Sequence, residues 1–201
     1  MHEDGGQLLI YILGEPPQWL INVIREFGEE IVKVNDCNVP PRSIIISVDS
    51  TCMVRGSIVL SLLPYKGAIP IQRGTARGIL STVISTMKRI GNVKSIDEAL
   101  ALLNFARTKV ISAVNMMEIM LEYQVAPGAV YTIAVLNNDK SKCTVALGRG
   151  TSRGTLVLES SISWLLSNGS DMYVVRGDLV LELMALSMVF GINFVHSNPP
   201  Y

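Results

Sequence analysis

Apolar residues fill every position from Leu8 to Leu13 and stop at Gly14, a pattern that predicts a strand buried on both faces. Pro16 and Pro17 then stand where a helix can begin, and Trp19, Leu20, Val23, Ile24 and Phe27 recur at helical spacing. Ile31 to Val34 and Ser43 to Val48 read as two further strands, separated by a polar loop containing Pro40-Pro41. Between Arg55 and Leu63, Gly56-Ser57 precedes Ile58, Leu60, Leu62 and Leu63, a spacing that admits a short helix capped by Ser57. Ala68 to Ile71 is the next predicted strand, and Thr75 opens a long apolar helix to Ile90.

From Gly91 to Ala106 the chain carries a capping-box pattern, Ser95-Ile96-Asp97-Glu98, followed by the amphipathic stretch Ala99 to Phe105. Beyond it the pattern predicts a strand at Lys109 to Val114, a helix at Met116 to Tyr123 and strands at Val130 to Leu136 and Cys143 to Leu147. A helix at Leu156 to Leu166, a strand at Tyr173 to Val175, a helix from Leu179 to Phe190 and a last strand at Asn193 to His196 follow. The two halves therefore read as one βαββαβα series run twice. In both, a strand empties into an Arg-Gly pair and a capping residue, Arg73-Gly74-Thr75 and Arg176-Gly177-Asp178. A strand ending in a glycine turn and a helix start presents backbone N–H groups and a positive dipole end to an anion. The expected class is α/β, with two lobes over residues 1–92 and 108–201 joined by a helical connector over 93–107, each lobe a mainly parallel sheet flanked by helices.

Composition narrows the function. Of 201 residues 49% are hydrophobic and only 17% charged, so there is apolar surface for a full core and an excess that a homodimer would bury. Net charge is zero and no run of Lys or Arg exceeds the pair Lys88-Arg89, which argues against a nucleic-acid partner. Cys37, Cys52 and Cys143 are odd in number and far apart, which argues against a disulfide framework or a zinc site and for a reducing, cytoplasmic setting. The N-terminus lacks a basic leader, and Leu179 to Ile192, interrupted by Glu182, is too short to span a bilayer, so no membrane association is expected. No GxGxxG or GxxxxGK[ST] pattern is present, and the dinucleotide and P-loop readings fall.

In this order of elements the chain resembles the sugar isomerase (SIS) superfamily, and within it the archaeal bifunctional phosphoglucose/phosphomannose isomerases. The local matches are Tyr11-Ile12-Leu13-Gly14 at the first strand and Val23-Ile24-Arg25-Glu26-Phe27 at the end of the first helix. Ile44 to Thr51 stands where the family has its hydroxyl-rich phosphate loop, and Thr75-Ala76-Arg77 where it has an arginine at a helix start. The resemblance implies a hexose phosphate ligand, no cofactor and no metal. It gives Ser50 and Thr51 to phosphate binding and Arg77 to the enediolate, where a guanidinium offsets charge that grows in the transition state. Glu122, one turn after Glu118, matches the family's base. His196 is the one histidine outside the extreme N-terminus and is the candidate for histidine acid or base work.

In the second lobe, Gly148-Arg149-Gly150-Thr151-Ser152-Arg153-Gly154 looks like a sugar-phosphate loop of the same superfamily. Glycines admit close backbone approach, and Arg149, Gly150, Thr151 and Ser152 supply charge, N–H and hydroxyls to an anion. Two positions depart from the family pattern: Gly14 is followed by Glu15-Pro16-Pro17 in place of a glycine-rich loop, and Asp49 falls where a phosphate-binding serine is expected. The reading is a sugar-phosphate-binding protein related to aldose-ketose isomerases, with turnover lost or reduced. Its alternative is a dimeric interaction or scaffold protein that keeps the fold.

Overall fold

The computed structural model describes residues 8–103, 106–108, 130–136, 142–149, 171–176 and 180–197. The chain divides into two compact units, residues 1–99 with 184–191, and residues 100–183 with 192–201. In the first unit, β1 (Leu9–Leu13), β2 (Glu30–Val34), β3 (Ile44–Ser47), β4 (Ile58–Ser61) and β5 (Ile69–Pro70) form an all-parallel sheet in the order β2-β1-β3-β4-β5. Helix α1 (Gln18–Glu26) links β1 to β2, and α2 (Ala76–Ile90) follows β5.

Strand alternation and register together decide what each face of this sheet is made of. Ile10, Ile44 and Ile58 are paired across three strands, and Ile12, Ile46, Leu60 and Ile69 across four, and all seven are buried. This isoleucine-rich face is the one α1 and α2 cover: Leu20 and Ile24 of α1 and Leu80, Val83, Ile84, Met87 and Ile90 of α2 are buried at helical spacing. The other face carries Tyr11, Leu13, Ile45 and Val59, and no helix residue belongs to the cluster built on it.

That second face is closed by connections instead. Right-handed crossovers put the β1-to-β2 link on one side of the sheet and the links running the opposite way on the other. Residues 35–43, 48–57 and 62–68 therefore all cross the same face, and none carries a helix. Each crossover lays two side chains on the sheet: Cys37 and Val39, then Cys52 and Val54, then Tyr65 and Ala68. Cys37 and Cys52 are joined by a disulfide with their Cα atoms 5.8 Å apart, and Tyr65 Oη accepts from the Cys52 N–H and donates to its carbonyl, both at 3.0 Å. This corrects the expectation of unpaired cysteines. An odd total and a wide spacing say nothing about two loops that the sheet topology brings side by side.

The segment expected to admit a helix at Ile58 is β4, fully buried between β3 and β5. Three apolar residues in succession, Ile58 to Leu60, carry no period, and burial on both faces selects the strand. Ser57 is no helix cap; its hydroxyl accepts the Ser43 N–H at 3.1 Å at the entry to β3. Ser95 does cap a helix, its hydroxyl accepting the Glu98 N–H at 3.3 Å at the start of α3 (Ile96–Leu102), which is one of the two bonds of a capping box.

One further helix of the first unit comes from the end of the chain. In α4 (Val180–Phe190), apolar on nearly every side, Met184 onward belongs to that unit, with Ala185, Leu186 and Val189 buried. Arg42 lies over the Phe190 ring at 4.8 Å and donates to the Ile90 carbonyl at 3.1 Å, so one cation serves the C-terminal ends of both α4 and α2.

The second unit holds β6 (Ala106–Thr108), β7 (Val130–Leu136), β8 (Lys142–Arg149), β9 (Asp171–Arg176) and β10 (Asn193–Ser197) in the order β10-β8-β7-β9-β6. Only β10 runs parallel to its neighbour β8; the β8-β7, β7-β9 and β9-β6 pairs are antiparallel. The second half is thus not the mainly parallel lobe expected from the repeat. The link between β7 and β8 is too short for a crossover and returns the chain antiparallel. The strand expected at 109–114 and the helices expected at 116–123 and 156–166 lie outside the described residues. Among the described residues no helix is long and apolar enough to cross a membrane.

Because Ile46 is fully buried at the centre of the helix-covered face, Ile46→Ala is expected to lower unfolding free energy by about 2–5 kcal/mol. Urea unfolding of the full chain measures this, and a loss below about 1 kcal/mol would mean that the face is not closely packed.

Candidate active edge at the switch point of the parallel sheet

Strand order reverses between β1 and β3: β1 connects outward to β2, β3 outward to β4. The two strands stay paired up to the Val48 N–H, which donates to the Leu13 carbonyl at 3.0 Å, and then part. Gly14 turns away with φ +94°, and a Cβ there would lie 2.6 Å from Asp49 Oδ1 and 3.2 Å from Val48 Cβ. Glycine is required at this position by conformation and by the close approach of Asp49 together. Ser47, at the end of β3, is buried and donates its hydroxyl to the Ser50 carbonyl, folding the backbone back so that Asp49, Ser50 and Thr51 are exposed at the edge. Among the described residues neither the Ser50 nor the Thr51 hydroxyl has a hydrogen-bond partner. Glu15, beside the turn, forms an exposed ion pair with Lys33 of β2 at 3.5 Å.

The remaining predicted positions are distributed differently. Arg77 stands on the first turn of α2, where its guanidinium is bidentate to Glu26 of α1, Nε to Oε2 and Nη2 to Oε1 both at 2.8 Å. The fork-to-fork geometry accounts for a cation at a helix start, where the dipole alone disfavours it. The pair lines a groove of about 350 Å³ together with Trp19, Asn22 and Val23 of α1 and Arg73 and Gly74 before α2. The hydrogen bonds from Arg77, reinforced by its charge, hold the Glu26 carboxyl below the ordinary glutamate value, and Glu26 raises Arg77 in turn.

Arg149 ends β8 and His196 lies in β10, both in the second unit; the register sets His196 opposite Val145, four residues before Arg149 on the neighbouring parallel strand. Glu122, Gly150, Thr151 and Ser152 lie outside the described residues. The structure therefore brings Ser50 and Thr51 together with Gly14 and Asp49. It sets Arg77 in a structural pair with Glu26.

Comparison with protein-family models, curated proteins and solved structures gives no match. Fold geometry and the residues themselves carry the functional argument.

Sequence reasoning did not pair Gly14 with Asp49 or Arg77 with Glu26. The one available signal was the misfit of each residue to its local role: a carboxylate in a hydroxyl loop and an arginine against a dipole.

A depressed carboxylate contributes stability above its unfolded pKa and loses it as pH falls through the folded value. Arg77→Ala is accordingly expected to move the Glu26 titration upward into the ordinary glutamate range and to reduce the part of acid destabilisation that lies below that range. Carboxyl-detected NMR titration measures the first effect and pH-dependent melting the second; an unmoved Glu26 would show that the pair does not persist in solution.

Proposed function

We propose that the chain binds a small phosphorylated sugar at the carboxyl edge of its parallel sheet, between β1 and β3, and does so without isomerising it. The supporting observation is the switch point: ligands of open parallel sheets sit outside the strand ends where the order reverses, and here the exposed Ser50 and Thr51 hydroxyls face no protein partner among the described residues. Hydroxyls donate to phosphate oxygens and accept from sugar hydroxyls, and the Asp49 carboxylate accepts from sugar hydroxyls. The resemblance to sugar isomerases suggests a hexose phosphate. Engagement of Arg77 by Glu26 weighs against turnover, because an arginine already bidentate to a carboxylate has little to offer a developing oxyanion.

A second reading, self-association of a scaffold, draws on the exposed apolar side chains Met53 and Leu63, 75% and 50% accessible, in the crossovers after β3 and β4. Both readings are compatible with one another, and sizing chromatography addresses the second.

Under the binding reading, glucose 6-phosphate or fructose 6-phosphate raises the melting temperature and the unphosphorylated sugars do not. At a hundredfold excess over Kd the stabilisation is about 2.7 kcal/mol. The double variant Ser50→Ala/Thr51→Ala is expected to melt like the parent and to lose the response. Equal responses to glucose and its phosphate, or none to either phosphate, would reject the proposal.

A further inference from the structure

We propose that the Cys37–Cys52 disulfide is an exchangeable clasp on the second face of the parallel sheet, opened by attack at Cys37, and that it governs how firmly the hydroxyl loop at the switch point is held. The effect on a ligand rests on the sugar-phosphate reading above; the clasp itself does not.

Cys52 directly follows Ser50 and Thr51, and it is the point where the three helix-free crossovers meet. It is bonded to Cys37 of the first, belongs to the second, and is gripped through both its N–H and its carbonyl by Tyr65 of the third. The two sulfurs differ in access. Cys52 is 2% exposed within the apolar cluster, whereas Cys37 is only half-buried, with its Sγ 3.8 Å from the Thr51 carbonyl oxygen. An incoming thiolate must approach along the S–S axis, so the accessible sulfur is the one attacked and the buried one is the leaving group.

The electrons come from a dithiol reductant. Its first thiolate bonds to Cys37 Sγ, the S–S bond breaks, and Cys52 leaves as a thiolate that takes up a proton. The reductant's second thiolate then displaces Cys37 from the mixed disulfide, Cys37 is protonated in turn, and the reductant is left as a disulfide. Two electrons and two protons pass to the chain.

What happens next follows from the anchors that remain. Sulfurs that no longer share a bond must draw apart to van der Waals distance inside a close-packed cluster. Cys52 stays fixed by Tyr65, and its neutral thiol suits an apolar site. The 35–43 crossover is therefore the part that gives way. Its departure removes the cover that Cys37 places against the Thr51 carbonyl, leaving Ser47 and Tyr65 as the side chains that hold the hydroxyl loop among the described residues.

The test uses the full chain, purified oxidised and then treated with excess dithiothreitol. Hydrogen exchange should rise in residues 35–43, and to a smaller extent at 50–52, while β1 and β3 keep their protection. In a Cys143→Ser background, where only the clasp supplies thiols, brief alkylation after reduction should label Cys37 about tenfold faster than Cys52, as exposure dictates. Glucose 6-phosphate should bind the reduced protein more weakly than the oxidised protein. Identical exchange in the two redox states, or faster labelling of Cys52, would overturn the clasp. If the exchange and labelling results hold and the sugar phosphate binds neither state, the clasp stands and the ligand reading fails. Should Cys143→Ser not fold, exchange on the unaltered chain decides the matter by itself.

Discussion

Everything in the first unit depends on covering the second face of an all-parallel sheet with connections that carry no helix. A parallel sheet needs both faces buried. Helices accomplish this on the isoleucine-rich side. On the other side three crossovers lie flat and contribute two side chains each, so the cover is thin and its pieces must be tied to one another. Cys52 does the tying, by a covalent bond to one neighbour and a two-way hydrogen bond with the tyrosine of the next. The same residue follows the exposed hydroxyls at the switch point, so the mechanical junction of the cover and the chemically equipped edge are one stretch of chain.

The helix side is keyed by charge as well as by packing. Glu29 is buried at the end of the α1-to-β2 turn, yet it accepts the Leu8 N–H at 3.2 Å and pairs with Lys88 near the end of α2. A buried carboxylate is tolerable only when it is matched in this way. Glu26 and Arg77 make the corresponding link higher on the same two helices. Exposed pairs of that kind add little stability. The value of this one is positional, since the two hydrogen bonds of the Arg77 fork tie the end of α1 to the start of α2.

Much of this architecture was legible in the sequence. The continuous apolar run before Gly14, the helical spacing after Pro17 and the long amphipathic run from Thr75 all match β1, α1 and α2 to within a residue or two. The misreadings have distinct physical causes. Ile58 to Ser61 is too short for its periodicity to separate strand from helix, and tertiary burial made the choice. The second sheet was expected to copy the first because its strands and helices alternate similarly, but Asn137-Asn138-Asp139 already sat in a link too short to cross over. The disulfide was invisible to counting and spacing, since only the order β2-β1-β3 sets the loops after β2 and β3 beside each other. At the candidate edge the hydroxyls of Ser50 and Thr51 could be read from the sequence, whereas the approach of Asp49 to Gly14 required the fold.

The position of α4 bears on how the molecule comes into being. Arg42, Arg55 and Gly56 precede the groups they meet, the Phe190 ring, Gly191 and the Val189 carbonyl, by more than 130 residues. Until residues 184–191 are made, the nascent sheet lacks an apolar helix segment that belongs to its unit. Completion of the first unit thus waits on a segment made long after its own strands, and the interval leaves apolar surface open to chaperones or proteases.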